Sequence, residues 1–517
     1  MRQSLFPAVF ASILAILIGC GQNQATAGTS SITATNNPQV ALYTIQPSSP
    51  GTVSIEFGLT TAYGLTTWER PTPGDGSAVK IYVAGMKANS TYHMRAVVKF
   101  NDGKVGMDSD HTFKTGSLPA GILEGATVTT GAGLTPQSGV ELIDATLSDL
   151  PGYLEAYATD LQGNLIWGYN YPDRDANSIV QPIKLLPNGD LGMIISYASQ
   201  FIFTPAQQSA VNTLREIDLA GNTVRELTLD ELNKRLKTAG YTFTLLDYHH
   251  DFAFLPNGHW IVLANLVKPY TDLPGYPGTT QVIGDALIDL DADWNPVWVW
   301  NEFDHLDVNR HPMSFPDWTH TNAVLYSPDD GNLLVSMRHQ NWIIKVDYRN
   351  GEGGGNILWR LGEGGDFELQ NGSDPEDWFY AQHGPAFQSD STAGKFSLSV
   401  MDNGDDRALP GGCNGSGQPP CLYTTVPVLD IDEQAMTAAL RFHQVIPADQ
   451  YSFFGGTTTR LANGNLEYDL CAEPSYTGIM REVTLGPAPQ TVWQMTVSHS
   501  NVYRANRIPS LYPGVEW

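Results

Sequence analysis

Six times between residues 125 and 517 the chain returns to one arrangement: a short run ending in an aspartate flanked by apolar residues, a polar or glycine turn, and a second run that often carries tryptophan. The units centre on Asp160, Asp218, Asp289, Asp347 and Asp430, with a degenerate sixth at Thr484, so they recur every 54 to 83 residues. Most also carry a turn written Leu186-Pro187-Asn188-Gly189, Leu255-Pro256-Asn257-Gly258, Ser327-Pro328-Asp329-Asp330-Gly331, Met401-Asp402-Asn403-Gly404 or Leu461-Ala462-Asn463-Gly464. Proline sits where no ladder N–H is needed, and Asn-Gly makes a tight reversal. One such sheet cannot bury both its faces, so neighbours must stack around an axis, and ring closure also protects the edges. The expected architecture for residues 125–517 is a six-bladed β-propeller; a sandwich array or a seventh blade are the alternatives. One helix is expected inside the repeats, over Leu229 to Thr238, where Glu231 and Arg235 stand four residues apart.

Residues 36–115 alternate apolar and polar positions in five runs: Val40 to Ile45, Thr52 to Phe57, Val79 to Val83, Tyr92 to Phe100 and His111 to Thr115. Asn101-Asp102-Gly103 is a hairpin signal, and Gly85 to Tyr92 resembles the turn that leads into a core tyrosine in fibronectin type III-like sandwiches. The fold class expected is therefore all-β, an N-terminal fibronectin III-like β-sandwich (36–115) and a linker (116–124) ahead of the propeller.

The chain opens with Arg2 and an apolar run from Leu5 to Gly19, a signal-peptide length rather than a membrane span. Leu17-Ile18-Gly19-Cys20 looks like the lipobox of bacterial lipoproteins. That implies a signal peptide over 1–19, lipidation at Cys20, a flexible tether over 20–35, and an outer membrane location facing the periplasm or the cell surface. Cys413 and Cys421 flank a turn-rich segment that export would allow a disulfide to pin; Cys471 is then a buried thiol, or else the partner of one of them. With 28 basic against 54 acidic residues the net charge is -26, which argues against nucleic-acid binding. An anionic substrate must be held by local groups against that field.

Four polar positions in aromatic surroundings supply such groups: His250, His320, Arg338 and His383. A ring would bring them to one axis although they span 134 residues, and an arginine at the end of an apolar strand needs an anion or carboxylate to meet it. If the strand is regular at Leu246 to Phe252, His249 and His250 face opposite ways, with Asp247 or Asp251 orienting one of them. Tyr248, Trp318, Trp378 and Tyr380 are candidates for stacking on an aromatic ligand, alongside Phe379. Asp402, Asp405 and Asp406 fall in a turn-rich loop, a place for a structural cation or solvent. No metal is expected among the histidines, because the usual His-x-x-x-His and His-x-His spacings are missing and Arg338 would repel a cation.

The segments His249-His250-Asp251, Trp318-Thr319-His320-Thr321-Asn322, Arg338-His339-Gln340 and Gln382-His383-Gly384, with the tail Tyr503 to Tyr512, resemble the active-site segments and C-terminus of bacterial arylsulfate sulfotransferases. The resemblance spans residues 36–517 and implies a sandwich ahead of a six-bladed propeller, export, a homodimer, and no cofactor, whether nucleotide sulfate donor or metal. It implies that His383 is the nucleophile carrying a sulfohistidine, with His250, His320 and Arg338 as its catalytic partners. The implied partners are an aryl sulfate donor and a phenolic acceptor. An aryl sulfate hydrolase using the same histidine, or a lipid-anchored scaffold without catalysis, are the competing readings.

Overall fold

The computed structural model describes residues 25–118, 126–148, 154–170, 178–197, 212–405, 407, 422–472 and 476–517. Among them the chain is β-strand almost throughout, with a single α-helix, Leu229–Thr238, at the place expected. Thr228 caps it by accepting from the Glu231 N–H, and Leu229, Leu232 and Leu236 are buried against the neighbouring sheet. Cys20, Cys413, Cys421 and Asp406 lie outside the described residues. Cys471 is buried. No helix among the described residues is long and apolar enough to cross a membrane.

The N-terminal part has two sheets, one of seven strands and one of three, around a single core of alternating residues such as Tyr43, Ile45, Val53, Ile55, Phe57, Ile81, Met94 and Val98. The tether expectation needs correction here. Gly28–Ala34 is a strand, paired antiparallel with Ala41–Pro47. Its polar composition misled because it forms one side of the three-stranded sheet, with Ile32 against the core and most of its other side chains facing out.

Beyond residue 126 the strands fall into six mainly antiparallel units, the first and sixth joined in one nine-stranded sheet and Glu368–Gln370 added parallel to the edge of the fifth. The second runs Ser178–Leu185, Leu191–Tyr197, Thr213–Ile217 and Thr223–Thr228; the third is Leu245–Phe254, Trp260–Leu273, Tyr276–Leu290 and Pro296–Asn301. The fourth runs Thr321–Ser327, Asn332–Met337, Trp342–Val346 and Ile357–Gly362; the fifth His383–Phe387, Lys395–Met401, Thr425–Asp432 and Thr437–Val445. The sixth holds Thr458–Arg460, Leu466–Ala472, Thr477–Val483 and Thr491–Ser498, and Thr127–Thr130 adds to its far edge. The first unit is built from both ends of this region: Val140–Ser148, Ala156–Thr159 and Leu165–Tyr169 are completed by the last strand, Ser500–Ile508. The leading strands touch their neighbours in a closed circuit, each unit meeting the next and the sixth meeting the first through Ser500–Ile508. Hydrogen-bonding the two ends of a chain into one sheet keeps such a circuit from opening.

Buried charges sit between the units. Asp251 accepts from Lys184 (2.7 Å), Arg504 (2.9 Å) and the Val324 N–H (2.9 Å), so one carboxylate joins four units. Burial raises its pKa, but the two cations and these hydrogen bonds outweigh that and hold it below the ordinary value. The tail returns to the N-terminal sheets: the Tyr512 hydroxyl donates to the Tyr82 carbonyl and accepts from the Ala84 N–H, both at 2.8 Å. The Trp517 ring lies over Gly85, where a Cβ would come within 2.2 Å of it.

Two turn motifs behave differently from the repeat. In the third unit the turn carboxylate is Asp291, accepting from the N–H groups of Asp293 and Asn295, whereas Asp289 is buried and bound to His259 and Tyr348. Met401-Asp402-Asn403-Gly404 makes no hairpin; it leaves its strand with the Gly404 N–H on the Tyr380 carbonyl.

Candidate active site

The four positions singled out by sequence are brought together, His320 and His383 at the start of leading strands, His250 within one, and Arg338 just past a second strand. Regular alternation fails at the first of them. Tyr248 pairs with Ala264 and Phe252 with Val262, so three residues face one on the partner strand, and His250 takes a left-handed φ of 50°. A bulge of this kind re-aims side chains. His249 and His250 therefore lie ring to ring, centroids 3.9 Å apart, instead of on opposite faces. His320 also has positive φ, 48°, immediately before Thr321–Ser327. His383 opens its strand, and Gly384 behind it is obligatory: a Cβ there would stand 2.3 Å from the Thr457 backbone.

His250 and His320 meet Nε2 to Nε2 at 3.0 Å, so one of the two nitrogens carries a hydrogen and the other accepts it. The His320 Nδ1 is 2.6 Å from Asp317, and the His249 Nδ1 is 2.7 Å from Asp285. These are the orienting carboxylates; Asp251 is spent on Lys184 and Arg504, and Asp247 makes no such contact. The Asp317-bound proton on Nδ1 leaves the neutral His320 ring with a bare Nε2, which makes His250 the donor in the shared hydrogen bond.

Arg338 ends its strand with its backbone N–H on the His320 carbonyl at 3.2 Å. Its guanidinium meets His339, Asp405 (2.6 Å) and the Phe453 carbonyl (3.2 Å), while its buried Nε–H has no partner among the described residues. Asp405 is thus an ion-pair partner of Arg338, and Asp402 is enclosed by Arg407, Thr425 and the Tyr380 N–H. Neither supports the cation loop expected there.

The His383 Nδ1 is 2.7 Å from the Asn403 Oδ1. Which way that amide points is settled by its other end, where Nδ2 donates to the carbonyls of Ser452 (2.7 Å) and Gly455 (3.2 Å). The oxygen therefore faces His383, Nδ1 carries the proton, and the lone pair is on Nε2. Burial, then the Arg338 charge, push the His383 pKa well below the ordinary 6.5 despite the Asn403 bond. Burial followed by neighbouring imidazoles does the same to His250 and His320, and burial brings His339 to about 4. His249 goes the other way: burial lowers it, but Asp285, Asp317 and Asp247 together outweigh that.

Tyr503 joins the two halves of the site. Its ring stacks on His250 (5.3 Å) and meets His383 edge-on (5.9 Å), and its buried hydroxyl has no partner among the described residues. In the sequence Tyr503 stands only as part of a tail motif, and Asn403 only as a turn residue. No local signal marks either: Tyr503 acts through contacts made across units, and Asn403 reaches His383 through the register that pairs His383 with Met401.

The aromatic candidates are core residues. The Tyr248 hydroxyl donates to the Leu227 carbonyl, the Trp318 ring stacks on Phe303 with Nε1 on the Arg310 carbonyl, Trp378 packs against Phe379, and the Tyr380 hydroxyl donates to Asp374. All four are buried between units, where a large ring fills space that the small polar residues of the axis leave.

An all-β structure that gathers an unprotonated imidazole, a hydrogen-bonded imidazole pair and a guanidinium has the groups a group-transfer enzyme needs for an anionic substrate. The description Arylsulfotransferase (ASST) belongs to the family model that matches residues 141–498, and the chain is a member of that family. It is an enzyme of sulfuryl transfer acting on aryl sulfates. A search of curated proteins finds no match. Among solved structures, a protein of unknown function from Bacteroides caccae is 11% identical, with 71% of this chain and 98% of that one covered at a TM-score of 0.39. A member of the DUF4221 family from Bacteroides vulgatus is 9% identical, covering 74% and 98%, with a TM-score of 0.29. Likenesses this weak carry no argument about fold or chemistry.

Proposed function

We propose that His383 is the nucleophile of a ping-pong sulfuryl transfer from an aryl sulfate to a phenol. The observation that carries this reading is the Asn403 contact, which leaves the His383 Nε2 bare beside Arg338. In the first half-reaction an N–S bond forms at Nε2 and the S–O bond to the aryl group breaks. The Arg338 fork, with Nε–H still open, meets sulfuryl oxygens where negative charge is held. An anion entering the pocket raises the imidazole pKa of the His250–His320 pair, so the pair takes up one proton with the donor. That proton passes to the departing aryl oxide. In the second half-reaction the acceptor phenol returns a proton to the pair as its oxygen attacks sulfur, and His383 is released unchanged. Asp317 and Asp285 position imidazoles; Tyr503 holds His250 and His383 in their relative orientation.

The closed circuit of leading strands supports a six-bladed β-propeller, and the shared two-sheet core a fibronectin III-like sandwich ahead of it. The lipobox-like Leu17 to Cys20 supports a lipid-anchored protein at the outer membrane, working as a homodimer in the manner the family resemblance implies.

The test is release of 4-nitrophenolate from 4-nitrophenyl sulfate by the full chain, with and without added phenol. Release that needs the acceptor, is lost in His383→Ala, and accompanies one SO3 on His383 in peptide mass spectra is expected. Acceptor-independent turnover would make the enzyme a hydrolase. An active His383→Ala variant would remove the histidine from the mechanism.

A further inference from the structure

We infer that His249, His250 and His320 form a site for a divalent transition metal, Zn2+ above all, whose occupancy stops sulfuryl transfer. Each ring offers a nitrogen within 4.8 Å of the other two. The Nε2 atoms of His250 and His320 are 3.0 Å apart. Two nitrogens bound tetrahedrally at zinc distances stand about 3.3 Å apart, so this pair needs to open by only a few tenths of an ångström. The two outer rings are already backed by carboxylates, His249 by Asp285 and His320 by Asp317, the hydrogen-bonding pattern that orients metal-bound imidazoles. Asp317, His320 and His339 form a second, overlapping group. There the Asp317 carboxylate is engaged by the His320 Nδ1, which makes it a support rather than a ligand.

The charges around the triad permit a cation. Asp247 and Asp285 face it from the third unit and Asp317 from the approach to the fourth. Arg338 and Arg504 lie on its other sides, the first paired with Asp405 and the second with Asp251. The objection raised by Arg338 in the sequence is therefore met by an ion pair that only the fold creates. The metal takes the place of the hydrogen between the two Nε2 atoms, and His250 keeps that hydrogen by carrying it on Nδ1 instead, so both rings bind as neutral imidazoles. Inhibition rests on the proton role given above to His250 and His320; the binding itself does not.

The experiment uses the full chain after chelator treatment, titrated with Zn2+ against a chromophoric chelator and, separately, with Co2+ followed by its visible spectrum. Expected are one tight equivalent of roughly micromolar or better affinity, tetrahedral-intensity cobalt bands, and inhibition relieved by chelator. Loss of a ligand in His249→Gln, or of its carboxylate support in folded Asp317→Asn, is expected to weaken zinc by about 10-fold or more. His93→Gln, in the N-terminal sheets, serves as the control and leaves affinity unchanged. No saturable equivalent in the wild type, an octahedral cobalt spectrum, or affinity that follows His93 rather than His249 would overturn the site. Zinc bound as expected without loss of turnover would leave the site standing and refute the proton role instead.

Discussion

Replacing Asn403 by alanine tests the tautomer of His383 while leaving Arg338 and the His250–His320 pair in place. The substitution removes the acceptor 2.7 Å from Nδ1 and the donors to the Ser452 and Gly455 carbonyls. A buried donor left without a partner costs about 1–3 kcal/mol, and here the cost falls only on the tautomer protonated at Nδ1, the one whose Nε2 can attack. Converted at about 1.4 kcal/mol per tenfold, kcat is expected to drop by about 5- to 140-fold. KM for the aryl sulfate stays within about twofold, because Arg338 and the His250–His320 pair, which meet the anion, are untouched. Steady-state assays at several donor and acceptor concentrations, with the burst of phenolate in the first turnover, measure both quantities; circular dichroism establishes that the variant is folded. A kcat within about threefold of the wild type, or a loss carried wholly by KM, would refute the tautomer argument.

Because burial and Arg338 hold the His383 pKa below 6.5, the nucleophile stays neutral as the pH falls through that value, and the acid limb of kcat/KM is expected below pH 6.5; a limb at or above it in a pH–rate profile would contradict the site electrostatics. Asp405→Asn removes an internal carboxylate that competes with substrate for Arg338, so KM for the donor is expected to fall by about 3- to 10-fold with a smaller change in kcat, the scale of about 1 kcal/mol for a partly exposed pair. Gly85→Ala drives a Cβ into the Trp517 ring at a φ of 98°, and thermal denaturation is expected to show a loss of about 1–3 kcal/mol, while activity per folded molecule is unchanged.

The repeat was readable because turn chemistry is local: the Leu-Pro-Asn-Gly and Leu-Ala-Asn-Gly segments close as tight reversals, with the glycine N–H of each on the leucine carbonyl three residues back. Alternation likewise placed the N-terminal strands, and the helix at Leu229–Thr238 lies where Glu231 and Arg235 stand four residues apart. The Gly28–Ala34 strand escaped notice because its partner, not its composition, makes it a strand. The same limit explains the four aromatic candidates. Proximity in sequence to a site histidine says nothing about which side of the sheet a ring packs on once a bulge breaks the alternation.

By itself, then, the sequence determined the element types, the six-unit division and the identity of the four polar residues that the ring gathers, since each of these is written in short-range patterns of apolar residues, turns and strand ends. The tertiary structure alone decided which nitrogen of His383 bears its proton, which carboxylates stand behind His249 and His320, and what meets Arg338. Those choices are made by Asn403, Asp285, Asp317 and Asp405, residues 20 to 67 positions away in the chain from the groups they touch, apart from the local Asp317–His320 contact. Hydrogen-bond partners at that separation are selected by strand register within a unit for Asp285 and Asn403, and by packing of the fourth unit on the fifth for Asp405, and no window of neighbouring residues contains that information.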